Sequence, residues 1–204
     1  MTDYFALLGL ARRPWLEEEA IKNKFLELAR QTHPDHVHGG SGERQPAASR
    51  SAEINAAYSC LREPNTRLRH LLELENGARP KDLQNVPAEM TDFFLTVSGL
   101  NREVDAFQKE KGATISPLLK LQLFEKSQDY VGRLQVLLKT VESRTAELVN
   151  QLKGIDKAWS APNLSPEERA GLLQQLESLY RLFGFHARWA GSLRERVGRL
   201  SFDS

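Results

Sequence analysis

The sequence predicts an all-α protein, and three observations carry that expectation. From Ala88 onward apolar residues recur at steps of three and four, the spacing of a helix that buries one face. The last of these stripes is long and regular: Leu172, Leu176, Leu179, Phe183, His186, Ala190, Leu193, Val197 and Leu200 keep a 4-3 spacing like a coiled-coil seam. Helix punctuation is also in place, most clearly at Ser165-Pro-Glu-Glu168, with a capping serine, proline at N1 and glutamate at N3. A proline- and glycine-containing stretch without periodicity divides the chain into an N-terminal domain (1–76), a linker (77–87) and a C-terminal helical domain (88–204).

The totals exclude several classes of function. With 28 basic and 27 acidic side chains the net charge is +1, so no overall field points to nucleic acid or an acidic membrane. A single cysteine, Cys60, excludes an internal disulfide framework and a multi-cysteine zinc site, and reads as a small core residue. No apolar run approaches the ~20 residues of a membrane span. The first residues do not resemble a signal or transit peptide, so a soluble, cytoplasmic protein is expected.

Taken in order, Met1–Leu10 reads as a short helix capped by Asp3 and ended by Gly9 in the left-handed conformation, with Tyr4, Leu7 and Leu8 inward. A turn through Pro14 leads into a helix over 17–32. Three glutamates open it, where the macrodipole favours negative charge; Ile21, Phe25 and Leu28 form its stripe, and Pro34 closes it. A polar, glycine-rich loop, expected to be mobile, covers 36–45. The returning helix, 47–63, places Ile54, Ala57, Tyr58 and Leu61 on one face. A shorter one follows over 65–75, with Leu68, Leu71 and Leu72 inward and Gly77 at C′.

Beyond the linker, 88–111 carries Met90, Phe93, Val97, Leu100, Val104 and Phe107 before Gly112. A long helix over 117–153 carries Leu134, Leu138, Val141, Leu148 and Leu152 around Thr145. Gly184, Gly191 and Gly198 recur every seven residues beside the last seam. Glycine costs ~1 kcal/mol against alanine inside a helix, so the repeat predicts a close helix–helix approach. Long helices joined by short loops imply an antiparallel three-helix bundle.

The tripeptide His33-Pro34-Asp35 sits between the second and third helices. That arrangement over the first 75 residues resembles a J domain, the module with which a co-chaperone engages a DnaK-type chaperone ATPase. Asp-Tyr-Phe at 3–5, Leu-Gly-Leu at 8–10, the run Ile54–Pro64 and Arg67-Leu-Arg-His-Leu-Leu-Glu-Leu74 are similar to the HscB-type J proteins of iron–sulfur cluster assembly. The resemblance implies that His33, Pro34 and Asp35 contact the ATPase side of a DnaK/HscA-type chaperone and promote its hydrolysis. It also implies that Lys22, Lys24 and Arg30 form the basic face that steers association. Thr32 stands where the family has an aromatic, and His36 where a lysine usually follows.

The same resemblance implies that the C-terminal bundle holds a client, the IscU-type scaffold protein, on the helix over 88–111. Phe94 and Leu95 match an apolar pair and Asp105 one acidic position, with Ser98 and Arg102 on the same face. Ser98, Gly99, Arg102 and Ala106 replace a leucine and three acidic residues. A general J protein with another client, or a helical adaptor, is an alternative. A metal site built from His33, His36 and His38 is another, although a turn rich in glycine holds ligands loosely. His186 reads as a hydrogen-bonded core histidine, and His70 as a residue of a polar face. No Ser–His–Asp grouping, phosphate loop or carboxylate pair can be placed, so neither an enzyme nor a cofactor is expected.

Overall fold

The computed structural model describes residues 2–32, 41–80, 86–113 and 117–202, and every element among them is a helix. They are α1 (Tyr4–Leu7), α2 (Glu18–Gln31), α3 (Ser41–Arg62), α4 (Pro64–Asn76), a 3-10 turn (Ala88–Met90), α5 (Thr91–Ala113), α6 (Pro117–Trp159) and α7 (Pro166–Phe202). Among the described residues no helix is long and apolar enough to cross a membrane. The chain forms two compact units, Met1–Lys81 with Val149–Tyr180, and Asp82–Leu148 with Arg181–Ser204. The end of α6 and the start of α7 therefore belong with the N-terminal helices, whereas the sequence division assigned all of 88–204 to one domain.

In the first unit the short helix forms as its punctuation dictates. The Asp3 carboxylate accepts the free N–H groups of Phe5 (3.0 Å) and Ala6 (3.2 Å), and Gly9 takes φ +63° just beyond the helix. Phe5 and Leu8 are the residues it buries. Tyr4 stays half-buried because its backbone N–H and its ring both meet His70: the N–H donates to Nε2 at 3.0 Å, and the ring centroids lie 4.7 Å apart. His70 is thus buried and occupied, not on a polar face as its neighbours Arg69 and Glu73 suggested.

Helix α3 packs on α1, α2 and α4 through Ile54, Ala57 and Leu61, all buried, while Phe25 of α2 stacks on Tyr58 with centroids 4.3 Å apart. It begins at Ser41, earlier than the expected 47, because a polar stretch shows no periodicity by which to recognise a helix. Pro64 sits at the first position of α4, and Gly77 ends it at φ +70°.

Helix α6 runs through Gly154 to Trp159 rather than stopping at Lys153. The glycine costs ~1 kcal/mol, less than the ~1.5–3 kcal/mol from burying a large apolar side chain such as Trp159. The indole N–H of Trp159 donates to the Arg12 carbonyl at 3.0 Å. One turn earlier, the buried Asp156 carboxylate accepts the Trp15 N–H (3.1 Å) and pairs with Arg13. Arg67 of α4, only 1% exposed, donates to the carbonyls of Pro14 (3.0 Å) and Leu61 (2.7 Å), and its guanidinium lies over the Trp15 ring. Burial lowers its pKa to about 10, opposed by Asp156 first and then Glu63. It remains a cation at neutral pH, with Asp156 as its main compensating charge. At the start of α7 the expected capping box is present: Ser165 Oγ accepts from the Glu168 N–H (3.1 Å), and Glu168 accepts from the Ser165 N–H (2.9 Å).

The second unit is the antiparallel three-helix bundle. Glu103–Arg133 and Glu110–Lys126 set α5 and α6 antiparallel; Asn101–Ser192 and Asp105–Arg196 set α5 and α7 parallel. Its core takes the whole predicted stripe of α5, with Leu134 and Val141 from α6 and Phe185, Trp189, Ala190, Leu193 and Leu200 from α7. Thr145 donates to the Val141 carbonyl (2.7 Å), so its oxygen is free to accept from His186 Nδ1–H at 3.1 Å, the hydrogen-bonded core histidine that the seam implied. At its last two positions the glycine repeat does not mark a close approach. A Cβ built on Gly191 or Gly198 meets nothing within 4 Å.

Two outcomes follow for stability. Asp156→Ala leaves Arg67 buried without its main counter-charge, and should lower unfolding free energy by roughly 3 kcal/mol, read as a lower urea midpoint at unchanged slope. A midpoint equal to that of the unaltered chain would remove Asp156 from its central place.

His70 gives a pH dependence. Burial lowers its pKa from 6.5, and its Nε2 accepts from Tyr4 only when neutral. A folded-state pKa below the unfolded one means that the unfolded chain takes up the proton first. The stabilisation is therefore complete above about pH 6.5 and is lost as pH falls below it. His186 is lowered in the same direction by burial and Arg144. Thermal melts of His70→Gln, whose amide oxygen still accepts, should lose less between neutral and mildly acidic pH than the unaltered chain.

Candidate functional site

Helix α2 presents the basic face. Lys22, Lys24 and Arg30 are all exposed. Lys22 faces Glu19 at 3.7 Å and Lys24 faces Glu27 at 3.0 Å, both i,i+3 pairs with half or more of most of the side chains in solvent. Such pairs are worth only ~0.2–0.5 kcal/mol, so either ammonium can turn to an external carboxylate at little cost. Arg30 lies in the last turn, where the helix dipole favours a cation. Thr32 follows as the C-cap; its hydroxyl donates to the Leu28 carbonyl at 3.0 Å, a local role that an aromatic could not fill. His33, Pro34, Asp35, His36 and His38 lie outside the described residues, and the metal alternative built on three of them lies there too.

The predicted client face on α5 is divided by the structure. Phe94 and Leu95 are 37% and 56% exposed, unlike the buried stripe beside them. Arg102 is exposed and donates to the Ser98 carbonyl (3.3 Å), one turn back on the same helix. Asp105 does not offer a free carboxylate: both of its oxygens are held by Arg196 of α7, at 3.0 and 2.6 Å. With Asp105 committed internally, the outward character of this face is apolar with one cation. Sequence reading missed Val136 on α6, which is 69% exposed, and Leu121, 63% exposed. Apolar residues interleaved with a core stripe give no sign of pointing outward.

Elsewhere in the first unit a small cleft of about 190 Å³ is lined by Thr2, Tyr4, Cys60, Arg69, His70 and Glu73. It holds a thiol and an imidazole, yet neither is poised for chemistry. Burial pushes the Cys60 thiol up, which keeps it protonated at neutral pH, and its S–H donates to the Thr66 carbonyl at 3.5 Å. The imidazole Nε2 is already taken by Tyr4.

Comparison with known proteins matches residues 3–70 to the DnaJ domain family. Two solved structures share the fold along the chain. The chaperone HscB from Vibrio cholerae superposes with a TM-score of 0.60 at 18% identity, covering 98% of this chain and 99% of that one. The human co-chaperone protein HscB superposes with a TM-score of 0.56 at 16% identity, covering 100% of this chain and 84% of that one. Residues 3–70 are therefore similar to a DnaJ domain, and the chain as a whole has the fold of the two HscB structures.

Proposed function

We propose that this chain is a co-chaperone, not an enzyme, that stimulates the ATPase of a DnaK/HscA-type chaperone and delivers a client, the IscU-type scaffold protein of iron–sulfur cluster assembly, in the cytoplasm. The observation that carries the proposal is the DnaJ-domain match over the residues that hold His33-Pro34-Asp35 and the basic face of α2. Asp35 supplies a negative charge next to Pro34 in the sequence, and Lys22, Lys24 and Arg30 steer the encounter with an acidic partner surface. Hydrolysis takes place on the partner, so no catalytic residue or cofactor is needed here. The likeness to HscB structures supports the client half, and the exposed Phe94–Leu95 pair on the bundle supports its location. An exposed apolar pair that a partner can desolvate suits a hot spot for a protein partner.

Asp35→Asn should abolish stimulation of the chaperone's ATPase while leaving the circular dichroism spectrum and melting temperature nearly unchanged. Full stimulation by that variant would sink the co-chaperone assignment. The double variant Phe94→Ser with Leu95→Ser should weaken binding to the scaffold by about tenfold or more in calorimetry, and leave stimulation without client intact. Undiminished scaffold affinity would move the client elsewhere.

A further inference from the structure

A groove of about 720 Å³ runs between α5 and α6 in the second unit. Each helix contributes a glycine to its lining, and a Cβ on Gly99 or on Gly132 would meet nothing within 4 Å. Leu100 and Leu137 line it further, and its two lips are Leu95 and Val136, each more than half exposed. On α5 it extends from Leu95 to Glu103, and on the antiparallel α6 from Thr140 back to Asp129. The eight steps from Leu95 to Glu103 span ~12 Å, about two helical turns. One end is apolar and the other charged. There Arg133, held by Glu103 at 2.7 Å and lying over Tyr130, faces two carboxylates, since Asp129 stands beside it. One guanidinium against two carboxylates leaves that end with a net negative charge.

We propose that this groove docks an amphipathic helix of a partner protein, about two turns long, with an apolar ridge and a lysine or arginine at the end that meets Asp129. A floor without Cβ atoms lets a third helix approach within the ~8–10 Å of ordinary helix packing. The ridge covers Leu95 and Val136, and the cation compensates the surplus carboxylate. The inference rests on α5 as the client face proposed above. It extends that face around the helix to a surface of opposite charge preference: Arg102 on the outer face suits an acidic group, Asp129 a basic one.

Gly132→Leu tests it without threatening the fold, because the new side chain enters open space and leucine favours a helix more than glycine does. Two probes are used with the full chain: the IscU-type scaffold protein, and stapled helical peptides with leucines at i, i+4 and i+7 and a lysine at one end or the other. The unaltered chain should bind one of these peptides. Gly132→Leu should weaken both probes by roughly tenfold or more, with melting temperature and chaperone ATPase stimulation kept. Asp129→Lys should reverse the preference between a lysine-ended peptide and its glutamate-ended twin. No peptide binding by the unaltered chain, or undiminished binding by Gly132→Leu, overturns the proposal. If Phe94→Ser with Leu95→Ser loses the scaffold and Gly132→Leu does not, the client face stands and the groove falls. If the peptide binds through the groove but the scaffold binds neither way, the groove stands and the scaffold assignment falls. A dimer in gel filtration that Gly132→Leu converts to monomer identifies the occupant as a second copy, and overturns the partner proposed here.

Discussion

The first unit depends on one buried carboxylate. Arg67 sits among Leu68, Leu71 and Leu72 with almost no contact with water, and a cation there must be compensated or it expels itself. Its bonds to the Pro14 and Leu61 carbonyls satisfy hydrogens, while Asp156 supplies the charge. Around that pair the turn before α2 is fastened to the end of α6. Arg13 and the Trp15 N–H reach the same carboxylate, the Trp15 ring lies between Arg67 and Lys153, and Trp159 reaches back to Arg12. Burying two compensating charges adds little net stability over apolar packing of the same shape, but removing one leaves the other uncompensated.

The bundle uses charge differently. Asp105, Glu103 and Glu142 are each taken by an arginine of the same unit, which fixes helix registers. Asp105, the acidic position that the family resemblance offers to a client, is thereby occupied, and α5 shows Phe94, Leu95 and Arg102 outward alongside Asp92 and Glu103. The departures from the family pattern at Ser98, Gly99 and Ala106 thus go with a different surface, in which apolar area and a glycine-floored groove replace an acidic stripe.

Local chemistry was legible in the sequence wherever one residue decides a backbone conformation. The Asp3 cap, the left-handed Gly9 and Gly77, and the Ser165–Glu168 box all stand as read. So does the apolar stripe of α5, since a period of 3.6 leaves little choice of face. Long-range partners were not legible. His70 reads from the sequence as a residue of a polar face, whereas it is buried and meets Tyr4 of α1, 66 residues away. The helix expected over 117–153 runs on through Gly154 to Trp159 and so carries Asp156 as well. The single 4-3 seam of α7 gave no sign that its two halves serve different cores, because periodicity reports which face is buried and not against what. For the proposed chaperone-binding residues the balance is reversed: His33-Pro34-Asp35 is read from sequence alone, and the structure describes the helix that precedes it and the Thr32 cap that ends that helix.

The pairing of Arg13 with Asp156 spans 143 positions of the chain. A ribosome adding ~5–20 residues per second reaches Asp156 roughly 7–30 s after Arg13. During that interval the N-terminal helices lack Asp156, the main charge that compensates Arg67 in the finished fold. Closing so long a loop is also a slow, entropically costly step. The newborn N-terminal domain is thus a looser object than the finished one, and it matures late in its own synthesis.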